Sequence, residues 1–260
     1  MLLTKQPPWR VLLVLVLVGA SVLAAAASWY QVRQANATLL ADRFQYMAEK
    51  HASTLMRGMA LYEYGLRGMR GSIVTVGPDA FNFRHFTQYI ASRDLAKAFP
   101  GARGVGVIRK VPREDTAAFI ARTRAEGSAT DFRLKELAPH NHPERFIIQY
   151  IAPWETNYQA AGLDVASEPH WYEAAISAAQ TNRATLSRPV TIVQAENTQG
   201  TAFLLALPVY HPGLPLDTPQ ERWQATAGWA YMPLLIEDIL RDLDFHNEEF
   251  TLTLSMDDPQ

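Results

Sequence analysis

The sequence predicts an α+β protein with a transmembrane helix, a long N-terminal stalk helix and a domain built on an antiparallel sheet. Three observations support this: an apolar run near the N-terminus, a helical stripe of apolar residues after it, and short alternating segments in the second half. The 260 residues leave room for one large or two small domains after a membrane anchor. A hydrophobic content of 48% can fill a sizeable core.

Composition excludes several classes of function. The net charge is −2, and Lys and Arg are spread along the chain without a basic block, so no nucleic-acid partner is expected. The chain contains no cysteine, which excludes a structural disulfide, a thiolate zinc site and a cysteine nucleophile. No cofactor is expected.

The first element is a membrane-spanning helix, predicted over residues 11–29. Residues 11–27 are uninterruptedly apolar or small, which gives a helix of about 25 Å at ~1.5 Å per residue. Trp9, Trp29 and Tyr30 extend it to nearly the ~30 Å of a hydrocarbon core and lie where interfacial aromatic belts form.

The charges around this run predict its orientation. Lys5 and Arg10 precede it, and the next cation is Arg33, so the positive-inside rule places residues 1–10 in the cytoplasm and the bulk of the chain outside the cytoplasmic membrane. A cleaved signal peptide remains the alternative, because residues 25–27 are three alanines that offer a cleavage site. Both interpretations export residues 30–260.

A long amphipathic helix is predicted over residues 30–76. Its apolar stripe steps by three or four residues from Leu40 to Ile73, and Gly77 and Pro78 end it. The stripe can pack on the protein's own domain, or part of it can pair with a second copy of the chain. We expect both, and therefore a homodimer through the N-terminal helix.

Beyond residue 77 the pattern changes to short elements, with their helices expected on one side of the sheet. Helices are predicted over residues 81–99, 112–126, 168–180 and 233–243, and strands over residues 104–111, 132–137, 145–152, 185–193, 201–210, 223–231 and 250–256. Residues 212–220 are predicted to form a surface loop.

Several short motifs follow one another in a fixed order along the chain. They are residues 66–72 (LRGMRGS), Phe86 and Tyr89, residues 100–106 (PGARGVG), residues 150–153 (YIAP), Asn157, residues 162–164 (GLD), Ser167, Ala184, Ser187 and Pro189, and residues 207–210 (LPVY). Their order and spacing resemble those of the CHASE domain, the extracellular sensor of plant cytokinin receptors and of many bacterial signalling proteins.

The resemblance implies both a fold and a role. The fold would be a membrane-distal PAS-like domain over residues 77–243, followed at residues 244–260 by the start of a truncated membrane-proximal PAS-like domain. The role would be to bind a small ligand outside the cell and to signal through transmembrane helices. A cytoplasmic histidine kinase or diguanylate cyclase, absent from this chain, would give the output, so the chain itself is not expected to be an enzyme.

The predicted ligand pocket lies between the sheet and the loop and helix of residues 153–180. That cover combines large aromatic side chains with one anion over an apolar sheet, the composition of a small-molecule site. The candidate ligand-binding residues are Tyr150, Trp154, Asp164, Trp171, Ser187 and Val193.

Two of these candidates depend on the resemblance. In plant cytokinin receptors a carboxylate at the start of the next helix contacts adenine; the matching position here is Trp171, which predicts a planar ligand that does not need that acid. Ser187 stands where those receptors have Thr. The plainer alternatives are that Asp164 fixes a turn and that Ser187 is a strand hydroxyl bonded to backbone.

Catalytic and metal sites are not predicted. His140 and His142 form the one histidine pair at ligand-like spacing, but they lie between two prolines and are expected in a solvated loop. The patterns G-x-S-x-G and H-E-x-x-H do not occur. Three hypotheses remain: a ligand-sensing ectodomain, a structural or protein-binding ectodomain, and an extracytoplasmic enzyme.

Overall fold

The N-terminal part of the chain forms a single helix, α1 (Pro8–Val76), in a computed structural model that describes residues 8–127, 129, 131–193 and 199–235. Gly77 ends α1: its φ of 93° suits glycine, and its N–H donates to the carbonyl of Ile73 at 2.9 Å. The chain divides into two compact units, Met1–Leu55 and Met56–Gln260. The predicted helix of residues 30–76 is confirmed.

The first unit contains the apolar run, whose large side chains are exposed from Leu12 to Leu23. The helix α1 is long and apolar enough to cross a membrane. A signal sequence near the N-terminus meets the same criteria of length and composition.

Among the described residues, the second unit is built on an antiparallel sheet of six strands. Its strands are β1 (Val105–Pro112), β2 (Glu144–Ala152), β3 (Thr185–Leu186), β4 (Val190–Val193), β5 (Gln199–Tyr210) and β6 (Thr226–Leu235). The order across the sheet is β2-β1-β6-β5-β3, and β4 also pairs with β5. The α+β, PAS-like class predicted from the sequence is confirmed.

Two short helices precede the first strand, and four more lie between the strands along the described chain. They are α2 (Phe83–Ala91), α3 (Leu95–Ala98), α4 (Thr116–Ala125), α5 (Trp154–Asn157), α6 (Pro169–Thr181) and α7 (Pro219–Ala225). The sequence patterns explain their starts: Asn82 caps α2, Glu168 caps α6 ahead of Pro169, and Thr218 with Glu221 forms a capping box for α7.

Hydrophobic layers cover both faces of the sheet, so the prediction that helices gather on one side is wrong. On the α1 face, Leu66, Met69 and Ile73 pack with Phe86 of α2 against Val107. The α6 face is covered by small and aromatic residues of α6. Strand alternation separates the two sets, because successive side chains point to opposite faces.

Five predicted elements differ from the structure. Residues 81–99 form two helices, because Asp94 caps a new helix after Ser92. Residues 185–193 form two strands, separated at Pro189, which has no N–H to donate. Residues 132–137 form no strand: Lys135 instead pairs through backbone bonds with the segment Gly162–Asp164.

The fourth difference concerns Trp223, which lies in α7 and not in a strand, because the Thr218 capping box starts a helix there. Residues 233–235 continue β6 and are not helical. The predictions for residues 236–243, 244–260 and 250–256 lie outside the described residues. The other predicted strands, and the helices over residues 112–126 and 168–180, are confirmed with shifted ends.

Candidate functional site

Trp171 lies in the first turn of α6 and is buried against the sheet. Its backbone N–H donates to Glu168 at 2.7 Å, which fixes the start of the helix. Its side chain is 7% exposed and belongs to the apolar cluster on the α6 face. Within the described part of the chain, the indole Nε1 has no hydrogen-bond partner.

Tyr231, on β6, belongs to the same cluster and is 1% exposed. It lies opposite Gly106 in the sheet, where a Cβ would overlap the Tyr231 ring. Its hydroxyl also lacks a partner among the described residues. Burial raises the pKa of Tyr231 well above its ordinary value, so the hydroxyl keeps its proton.

Buried polar atoms in native proteins are almost always hydrogen-bonded, and a buried group without a partner costs about 1–3 kcal/mol. The indole of Trp171 and the protonated hydroxyl of Tyr231 are both donors. Two such donors in one apolar cluster indicate a place where a bound molecule with acceptor groups would be stabilised.

The rest of this cluster is closely filled. Phe146 and Trp229 pack with ring centroids 4.6 Å apart, and the indole of Trp229 donates to the Ala175 carbonyl at 2.9 Å. Small residues face them from α6 and the sheet, among them Ala178 and Ala206. A ligand would therefore enter by displacing side chains or shifting α6.

Asp164 is fully buried and holds together the loop before α6. Its carboxylate accepts from the backbone N–H groups of Phe146 at 2.9 Å and Ala166 at 3.0 Å. It also accepts from Arg145 at 3.0 Å and lies 2.9 Å from Nε2 of His140. This set of partners is that of a structural carboxylate.

The prediction that His140 and His142 lie in a solvated loop is wrong. The side chain of His140 is 9% exposed and pairs with Asp164. The ring of His142 stacks on Tyr172 with centroids 3.8 Å apart, and burial together with the neighbouring His140 lowers the pKa of His142. The loop is held against the domain because these rings and the buried carboxylate bind it.

His140, Asp164 and Glu136 have potential metal-ligand atoms within 4.8 Å of one another. Arg145 donates to both carboxylates. Arg145 balances one of the two negative charges and bonds to both, so the arrangement is an ion-pair network that ties Glu136 and Asp164 to β2.

Tyr150 lies on the opposite face of the sheet from Trp171. Its ring stacks on Phe86 at 5.3 Å, and its hydroxyl donates to Glu126. Burial and that hydrogen bond raise the pKa of Tyr150, which keeps it a donor. A bulge makes Gln149 the extra residue of β2, so Gln149 and Tyr150 both face α4 and α2.

The remaining candidates are separated. Ser187 accepts from the N–H of Leu204 and donates to the carbonyl of Arg188, both at 2.9 Å, so its hydroxyl serves the sheet. Trp154 begins α5, is 40% exposed and packs on Tyr158. Val193 lies in β4, and its side chain is outside what the structure describes.

Comparison of the sequence with models of protein families gives a match. The CHASE domain model matches residues 79–260, which is well over half of the chain. The chain belongs to the CHASE domain family.

The structural comparison gives a neighbour of low similarity. It is the periplasmic sensory domain of the Campylobacter jejuni chemoreceptor Tlp1, with 14% sequence identity and a TM-score of 0.45. The match covers 80% of this chain and 63% of that chain, so this protein spans less than two thirds of the neighbour's length. No curated protein matches the sequence.

Membership of the CHASE family identifies residues 79–260 as a sensor domain. The five candidate residues of this CHASE domain whose side chains the structure describes do not converge on one cavity. Trp171 is in the α6-face cluster, Asp164 and Ser187 support the backbone beside it, Tyr150 is on the other face, and Trp154 is at the surface.

Sequence reasoning missed Tyr231, which shares the cluster with Trp171. The signal available was a tyrosine inside an apolar strand (residues 226–235, TAGWAYMPLL), where a buried hydroxyl needs a partner.

Proposed function

We propose that this protein is the extracytoplasmic, small-ligand-sensing region of a transmembrane receptor. The CHASE family match over residues 79–260 supports the sensor role, and the apolar helix near the N-terminus supports a membrane anchor. The output would be a cytoplasmic histidine kinase or diguanylate cyclase.

The ligand, in this proposal, binds on the α6 face between the sheet and α6. The observation that carries this placement is the pair of buried donors without partners, Trp171 Nε1 and Tyr231 OH. Because both are donors, the ligand would present acceptors such as ring nitrogens or carbonyl oxygens. The apolar walls and the indole of Trp171 favour a planar molecule.

Binding there would also provide a mechanism for signalling. Since the cluster is closely filled, a ligand must favour an arrangement in which α6 or its neighbours have moved. The ligand can shift that equilibrium only by its different affinity for the two arrangements. Asp164 would keep the loop before α6 attached during the movement, because its partners lie on that loop, on β2 and on the segment before β2.

A ligand-free structural or protein-binding ectodomain is the second candidate. The close packing around Phe146 and Trp229 favours it, since a protein without a ligand needs no open pocket. The two unpartnered donors favour the sensor, because a purely structural core gains stability by losing them.

The proposed orientation places residues 30–260 outside the cytoplasmic membrane. A reporter that is active only in the cytoplasm, fused after Gln260, is expected to be silent, whereas one fused before the apolar run at Lys5 is expected to be active. Enzyme activity in intact cells measures both. Strong activity of the Gln260 fusion would contradict the orientation.

The proposal includes a parallel homodimer through the membrane-proximal part of α1. Leu40 and Phe44 are 59% and 56% exposed there, and Met47 continues the same stripe. The chain has no native cysteine, so single cysteines at 40, 44 and 47 are expected to cross-link between chains in membranes. A cysteine at Asp42, on the opposite side of the helix, is the matched control.

The measurement is the fraction of dimer on non-reducing gels after mild oxidation. Cross-linking at 40 and 44 above the level at 42 supports the dimer. Equal levels at all four positions would contradict an interface on this stripe.

A further inference from the structure

A cleft of about 370 Å³ lies on the α1 face of the sheet, away from Trp171 and Tyr231. One wall is the loop after α1, with Pro78 and Phe81. The other wall is a single side of α4, formed by Phe119, Arg122 and Glu126. Arg109 of β1 and Gln149 of β2 contribute to the floor.

Arg109 is a partly buried cation held by neutral acceptors. Its Nε donates to Gln149 Oε1 at 2.6 Å, and its Nη2 donates to the Phe81 carbonyl at 2.8 Å. Gln149 is itself bonded to Thr123 of α4, so both sides of the cleft orient the guanidinium. Within the described ranges, the guanidinium of Arg109 forms no ion pair with a carboxylate.

The groups around Arg109 only partly balance its positive charge. Burial lowers the pKa of Arg109, and Arg122 nearby lowers it further, against the opposing influence of Tyr150, Glu126 and Asp79. A guanidinium removed from water is costly unless an anion accompanies it.

The carboxylates that line the cleft either bond to other groups or lie exposed at its edge. Glu126 accepts from the Tyr150 hydroxyl and from the Phe83 N–H at 3.3 Å. Asp79 has a side chain that is 89% exposed and faces His211 at 3.5 Å. Asp115 is exposed at the start of α4.

We propose that this cleft binds a small oxyanion, a carboxylate or a phosphate, through Arg109 with Arg122 as a second contact. Arg109 is pre-oriented by Gln149 and Phe81, and a planar guanidinium suits the paired oxygens of both groups. The site is distinct from the proposed ligand site on the α6 face, and either can fail without the other.

The test measures whether succinate and inorganic phosphate bind to the detergent-solubilised full chain. Calorimetric titration gives the affinity, and thermal unfolding shows whether the anion stabilises the protein. Sodium chloride at matched ionic strength is the control for screening. Binding of succinate only would identify a carboxylate site, binding of phosphate only a phosphate site, and binding of both a general oxyanion site; all three support the proposal.

Three single substitutions distinguish binding at this site from a general effect of the protein's positive charge. Arg109→Gln is expected to weaken binding about tenfold or more, since it removes a charge-assisted hydrogen bond, and Arg122→Gln about two- to fivefold, as for a more exposed charge. Arg84→Gln removes the same charge from the exposed surface of α2 and is expected to bind as wild type.

Three results would overturn the proposal: no binding of either anion by the folded wild type, an equal effect of chloride, or wild-type affinity in Arg109→Gln. If Arg109→Gln does not fold, the affinity of Arg122→Gln for the anions is the deciding measurement. Since Arg122 is exposed, this variant is expected to fold, and an unchanged anion affinity would refute the site.

Discussion

Replacing Asp164 with alanine is expected to lower the free energy of unfolding by about 3–5 kcal/mol, as when one partner of a buried ion pair is removed. Its carboxylate is fully buried and accepts from Phe146, Ala166 and Arg145. Without it, two buried N–H groups lose their acceptor, and the guanidinium of Arg145 keeps only Glu136 of its two carboxylates. For a domain of this size the melting temperature is expected to fall by roughly 6–20 °C.

Asp164→Asn and Asp131→Ala are the matched controls. Asparagine keeps an oxygen for the N–H groups of Phe146 and Ala166 but loses the charge that faces Arg145, so an intermediate loss is expected. Asp131 is exposed, and its removal is expected to change stability by no more than about 0.5 kcal/mol. Thermal unfolding followed by circular dichroism measures all three, and an Asp164→Ala melting point equal to that of Asp131→Ala would show that the network is not structural.

The fold was predictable wherever local patterns match long-range packing. The α1 stripe, the helix over residues 168–180 and most strands carry periodicities that survive in the structure. The missed helix α7 depended on a capping box at Thr218, which outweighs the apolar alternation near Trp223. Coverage of both sheet faces was not visible locally, because α1 is far in sequence from the strands it packs on.

The site was predictable only in part. The motif order singled out Trp171 and Asp164, but residue type alone did not separate a structural carboxylate from a ligand anchor. Asp164 proved to be held by backbone groups that only the fold assembles. The bulge at Gln149 changes the alternation along β2, so Tyr150 lies on the face of the sheet opposite Trp171, which the sequence alone did not reveal.

Replacing Tyr231 with phenylalanine is expected to leave the ligand-free protein as stable as wild type or more stable. The substitution removes one buried hydroxyl that has no partner, and with it a penalty of about 1–3 kcal/mol. Tyr210→Phe is the matched control with the opposite sign. The Tyr210 hydroxyl donates to the Ala179 carbonyl at 2.6 Å, so its loss is expected to cost about 0.5–1.5 kcal/mol.

The two tyrosines also differ in their expected effect on binding. If the Tyr231 hydroxyl donates to the ligand, its removal weakens binding by a typical hydrogen bond of about 0.5–1.5 kcal/mol, which is roughly two- to twelvefold. Trp171→Phe removes the second donor and is expected to act in the same direction. Tyr210→Phe is expected to bind with wild-type affinity, because its hydroxyl is occupied within the domain.

The most direct test of the sensor proposal is calorimetric titration of the full chain with planar probes that carry acceptors: adenine, N6-isopentenyladenine and xanthine. The account predicts that at least one probe binds the wild type and Tyr210→Phe equally, and binds Tyr231→Phe and Trp171→Phe more weakly. A probe that binds all four proteins with the same affinity would contradict the site between the sheet and α6. The absence of binding by any probe, together with a more stable Tyr231→Phe, would favour the ligand-free ectodomain.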